Sequence, residues 1–184
     1  MPGICTIIVF MNTKRLTSLA MLIAVYCVLS ILTPIKVLNF KFTLEAFPIY
    51  VASLLLGPVD GLIVGGVGSF IYQILFSGYG ITATTILWVL PHALSGYVAG
   101  IYARSKNFSL DFRQTCFIVI ISNLIVTALN TLALYVDSKM FGYYSSTLVF
   151  GSLGLKIITG IILAIIYSLA LPKLISLLKR NVID

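Results

Sequence analysis

Charge is what this chain has least of. Only 9% of its 184 residues are Asp, Glu, Lys or Arg, and acids are scarcer than bases, 5 against 12. Water-soluble domains carry about 25% charged residues, so a domain folded in water is excluded. Histidine occurs once, at His92, which excludes a multi-histidine metal site. Cys5, Cys27 and Cys116 are odd in number, sit in or beside apolar sequence and lack C-x-x-C spacing, so they read as packing residues. No G-x-x-x-x-G-K-[ST] phosphate loop is present, so any ATP must be handled by another protein. The net charge of +7 is scattered over the ends of apolar runs rather than gathered in a stripe, which excludes a nucleic-acid surface and leaves a topology signal. Strict alternation over about ten residues, the mark of a membrane barrel, is absent as well.

What is abundant is continuous apolar sequence: 60% of residues are hydrophobic and the mean hydropathy is +1.11. The solvent is therefore a bilayer, and helices satisfy the backbone there. The central stretch, Leu44 to Phe70, holds two apolar runs joined by Gly57-Pro58-Val59-Asp60-Gly61. A turn there makes them antiparallel neighbours. Gly61, Gly65, Gly66 and Gly68 in the second run permit close backbone approach. Six spans are expected: Leu16 to about Thr33, ended by Pro34; Leu44 to Leu56; Leu62 to Phe76; Thr84 to Tyr102, kinked at Pro91; Thr115 to Val136; and Leu148 to Leu171. The second is short for a full crossing. The fold class is an all-α integral membrane protein, one domain over residues 1–184, with residues 1–13 as a poorly defined extension. Met1 to Phe10 is apolar but too short to span, and a start at Met11 gives an ordinary N-terminus.

Six spans place both termini on one side. Lys14, Arg15, Arg104, Lys106, Arg113, Lys173, Lys179 and Arg180 share that side, against Lys36, Lys41 and Lys139 on the other. The bias puts the termini in the cytoplasm.

Several polar groups lie inside the spans. Lys156 falls near mid-membrane, where an unpaired ammonium costs on the order of 2.5 to 3.5 kcal/mol. It faces an anionic ligand such as a carboxylate, pairs with Glu45, or snorkels. Asn123 and Asn130, seven residues apart, share one helix face. They suit either the mixed edge of a heteroaromatic ring or hydrogen bonds between helices. Trp88 and His92, four apart, offer a stacking ring and a donor-acceptor on one face; Trp88 reads equally as an interface-belt residue. Gln73 faces cavity or neighbour. These residues all fall between the middle and the outer edge, an asymmetry that argues for a cavity open to the outside. In the other half, Ala20 and Ala24 form A-x-x-x-A, suited to close helix contact inside the bundle or beyond it.

The run FKFTLEAFPIYVASLLLGPVDGLIVGGVGSF, the strip at Ala20 and Ala24 and the six-span size resemble the S component of an energy-coupling-factor vitamin transporter, from about Lys14 to Arg180. TTILWVLPHALSGYVAGIYA is similar to the folate-type branch. The resemblance implies high-affinity capture of a vitamin at the extracellular face of a prokaryotic plasma membrane, no catalysis and no cofactor. Its implied partners are a transmembrane coupling protein, docked at Ala20 and Ala24, and two ATPase subunits that hydrolyse the ATP. It implies toppling of the loaded subunit in the membrane, and it makes Lys36 to Thr43 a gating loop. Within it, Trp88 would stack on a ring, Asn123, Asn130, His92 and Gln73 would meet its polar edge, and Lys156 or a basic loop residue would hold a carboxylate. Folate comes first by resemblance; pantothenate would also satisfy Lys156.

Two other classes stand beside this. A rhomboid-like intramembrane serine protease would need G-x-S-x-G or G-x-S-G. Gly151-Ser152-Leu153-Gly154 places its serine one position early, and Ala93-Leu94-Ser95-Gly96 lacks the first glycine. A ligand-free membrane scaffold would explain the glycines but not the clustered polar residues.

Overall fold

The computed structural model describes residues 13–32, 35–37, 40–42, 44–78, 80–151 and 153–182. The elements are α1 (Thr13–Leu32), β1 (Ile35–Val37), β2 (Phe40–Phe42), α2 (Ala46–Leu55), α3 (Pro58–Leu75), α4 (Thr85–Ser105), α5 (Phe112–Met140), α6 (Ser146–Phe150) and α7 (Leu153–Val182). Five stretches are long and apolar enough to cross a membrane: α1, α3, α4, α5 and the α6–α7 unit over Ser146–Leu177. The remaining expected span, the second, is α2, which has 10 residues. At about 1.5 Å per residue it reaches only halfway across a hydrocarbon core of about 30 Å.

That short helix organises the bundle. Pro48 to Leu54 of α2 are all buried, with Ile49, Tyr50 and Ala52 at 0% exposure. A helix apolar all round belongs in the middle, and α1, α3, α4 and α7 all pack against it. One end of the bundle is thereby solid. Towards the other end α2 is missing, and among the described residues α1 and α7 have no extensive packing on each other. The strands occupy the chain just before α2, paired antiparallel with Lys36 opposite Lys41, and β2 touches α7. The expected connector is therefore partly a two-stranded ribbon. The side chains of residues 33–43 and the extension at residues 1–12 lie outside the described residues, so the start-site and gating expectations are not addressed by them.

The glycines set the α3–α4 contact. A Cβ on Gly96 would sit 2.3 Å from the Gly61 carbonyl oxygen, and one on Gly65 would sit 2.3 Å from that of His92. Only glycine lets the two backbones touch in this way. Ser53 of α2 joins them: its hydroxyl lies 2.8 Å from the Gly96 carbonyl oxygen. The turn before α3 is tighter than expected. Gly57 alone breaks the chain, with φ of +120°, and Pro58 already opens α3. Asp60 and Gly61 are helical, and Asp60 is fully buried.

Other boundaries move as well. α5 runs through Met140, so Asp137 is helical rather than in a loop. It begins at Phe112, where the Asp111 N–H donates to Gln114 Oε1 at 3.3 Å, half of a capping box. The last span is divided near Gly151 into α6 and α7. Pro91 lies inside α4 without ending it.

Candidate functional site

The hollow end holds a cavity of about 910 Å³, within the range of small-molecule pockets. Its floor is the start of α2, through Glu45 and Ala46, and its walls come from α1, α3, α4, α5 and α7. All seven residues expected to line a binding site surround it: Glu45, Gln73, Trp88, His92, Asn123, Asn130 and Lys156. The spacing arguments explain why. On α5, residues 123, 127, 130, 134 and 137 recur at intervals of three and four and form one wall.

The two asparagines differ. Asn123 ties three helices together: Tyr50 of α2 donates to its Oδ1 at 3.1 Å, and its Nδ2 donates to the Gly160 carbonyl of α7 at 3.1 Å. Asn130 Oδ1 is buried without a hydrogen-bond partner among the described residues. An unmatched buried amide oxygen favours a donor from a guest molecule.

His92 Nε2 is 3.9 Å from Glu45 Oε1, beyond hydrogen-bond distance. The Tyr26 ring meets the His92 ring edge-on, centroids 6.0 Å apart. Tyr26 reaches the cavity from α1 because Gly68 leaves room: a Cβ there would lie 2.8 Å from the tyrosine ring. Lys156 sits in the first turn of α7 and is partly buried. Among the described residues, no carboxylate lies within ion-pair distance of it. The structural pair with Glu45, weighed from sequence, is not formed.

Sequence reasoning missed several lining groups. Asp137 is one: its carboxylate accepts hydrogen bonds from the hydroxyls of Thr84 and Tyr143. Its spacing from Asn123 and Asn130 on one helix face could have revealed it. Tyr72, Thr127 and Thr159 also line the cavity. Beside the mouth residue Tyr143, Lys139 Nζ stands 4.0 Å from the centre of the Tyr144 ring.

Ala20 and Ala24 are exposed on α1, turned away from the bundle. Of the two serines weighed as nucleophiles, Ser95 is buried, and its hydroxyl donates to the His92 carbonyl rather than to the imidazole. Ser152 lies outside the described residues.

A helical membrane bundle, solid at one end and opening at the other into a polar cavity, is the form of a substrate-binding membrane subunit. A family model described as "ECF-type riboflavin transporter, S component" matches residues 10–176. The chain belongs to that family, so it is a transporter subunit that binds a vitamin and couples to an energising module, and it is not an enzyme. Solved structures agree in fold. A FolT crystal structure with folic acid bound is 23% identical, with TM-score 0.66, covering 91% of this chain and 97% of that one. A biotin S component is 18% identical, with TM-score 0.67, covering 89% and 94%. An S component of a bacterial ECF transporter is 25% identical, with TM-score 0.66, covering 92% and 99%. No curated protein sequence matched the chain.

Proposed function

We propose that this subunit captures a vitamin carrying a flat heteroaromatic ring and a carboxylate, with folate as the representative. The observation that carries the reading is Lys156: a cation inside the cavity, without an ion-pair partner among the described residues, sharing its walls with Trp88 and Asn130. Leaving an ammonium at that depth is costly unless something anionic meets it. Trp88 supplies a stacking face. Asn130, Gln73 and His92 address the ring edge, Glu45 accepts from a ring N–H, and Asn123 shapes the wall while holding α2, α5 and α7 in place.

A neutral flavin is the second reading. It is favoured by the riboflavin name of the matching family and by the many lining hydroxyls, among them Ser69, Thr127 and Thr159, which suit a polyol chain. Pantothenate would meet Lys156 without needing Trp88.

In this reading the termini lie in the cytoplasm of a prokaryote, as the eight-to-three distribution of basic residues supports. The cavity then faces outward across the plasma membrane, and the ribbon at β1 and β2 covers it. Delivery follows docking of the Ala20 and Ala24 strip on a transmembrane coupling protein, whose two ATPase subunits hydrolyse ATP; this chain needs no cofactor. The test is isothermal calorimetry of the detergent-purified protein with folate, riboflavin, pantothenate and biotin. Tight binding of folate is expected. Tight binding of riboflavin alone would establish the second reading, and binding of none would overturn both.

A further inference from the structure

One ion pair plays no part in the cavity. Arg15, in the first turn of α1, grips Asp60, in the first turn of α3, with both ends of its fork: Nε to Oδ1 at 3.0 Å and Nη2 to Oδ2 at 2.6 Å. The Asp60 side chain is 1% exposed and that of Arg15 is 45% exposed. Such a bidentate contact forms in only one mutual orientation of the two helices.

Orientation is what α1 needs. Its sequence is apolar nearly all round, and Leu16, Met21, Val25, Val28 and Leu32 are exposed on it while Leu19, Tyr26 and Ser30 are buried. In water the hydrophobic effect would sort such faces. In lipid it does not, because acyl chains are as apolar as leucine. Packing and polar contacts must decide which way the helix is turned. Arg15 continues the buried stripe of Leu19 and Tyr26 to the end of the helix. At 3.6 residues per turn, Ala20 projects about 140° from Arg15 and Ala24 about 180°.

We propose that the Arg15–Asp60 pair is a rotational pin: it fixes the phase of α1 so that the small-residue strip faces away from the bundle. Arg15 and Asp60 are thus positioning residues for docking, acting through α1. The inference rests on the docking reading above. Single polar pairs that set helix register are the best-attested use of such contacts.

The test compares three variants for folate or riboflavin affinity and for capture by the co-expressed coupling protein with its ATPase pair. Arg15→Met/Asp60→Leu removes the pair without orphaning a buried charge. It is expected to fold and to bind the vitamin like the parent, with capture weakened at least roughly tenfold. Arg15→Asp/Asp60→Arg, which restores the pair in reverse, is expected to recover capture. Normal capture of the apolar double variant, or its failure to fold, would overturn the pin. Ala20→Trp separates the two levels: capture lost there but normal in the apolar double variant refutes the pin alone, whereas normal capture of Ala20→Trp refutes the docking reading itself.

Discussion

Asn123 and Asn130 stand two turns apart on one face of α5, yet only Asn123 uses its amide within the protein, accepting from Tyr50 and donating to Gly160, while the Asn130 carbonyl oxygen meets no partner among the described residues. The same residue type on the same wall is therefore matched within the protein at one position and left with an unmatched carbonyl oxygen at the other.

The pair makes a contrast that can be measured. Asn123→Ala leaves the buried Tyr50 hydroxyl without its Asn123 acceptor and removes the α5–α7 tie to Gly160, which costs about 1–3 kcal/mol. It is expected to lower the detergent melting temperature. Asn130→Ala is expected to melt like the parent and to bind its vitamin roughly tenfold more weakly, the loss of about one hydrogen bond. Equal melting temperatures with equal affinities would sink the distinction.

Lys156→Met separates the candidate vitamins. A charge-assisted hydrogen bond contributes about 1.5–3 kcal/mol. Folate affinity is therefore expected to fall between roughly tenfold and a hundredfold. Riboflavin, which is neutral, should bind the variant as it binds the parent. Calorimetry with both ligands decides, and an unchanged folate affinity would remove Lys156 from the site.

Ala20→Trp adds a large ring to the exposed face of α1 without touching the cavity. Vitamin affinity should stay at the parental value while uptake into whole cells is lost. Normal uptake would mean that the strip is not where the energising module docks.

Gly65→Ala probes the line between packing and binding. The new methyl would meet the His92 carbonyl, so α3 and α4 must part, at a cost of about 1–3 kcal/mol. Because His92 lines the cavity, affinity should fall along with the melting temperature. Gly154→Ala, which meets nothing within 4 Å, serves as the control and should lie within about 0.5 kcal/mol of the parent. A harmless Gly65→Ala would show that the helices are not in backbone contact.

Much of this architecture is readable from residue order, because a bilayer imposes simple length and polarity rules. The long spans, the brevity of the second one and the seven lining residues follow from hydropathy, prolines and helical spacing. The ribbon was missed although Ile35-Lys36-Val37 and Phe40-Lys41-Phe42 alternate with the period of a strand; a three-residue signal is weak beside runs of twenty. Asp137 was missed because a charged residue near a span end reads as loop, whereas α5 runs on for 29 residues, about 43 Å, beyond the hydrocarbon thickness. Arg15–Asp60 joins positions 45 apart, and no local pattern announces such a pairing. The break near Gly151 was hidden because hydropathy stays high across it.

The half-length of α2 has a consequence for how such a subunit can change its cargo. A lining residue such as Asn130, whose carbonyl oxygen has no partner among the described residues, can be exchanged so as to alter what is held while the plugged end still keeps the bundle upright.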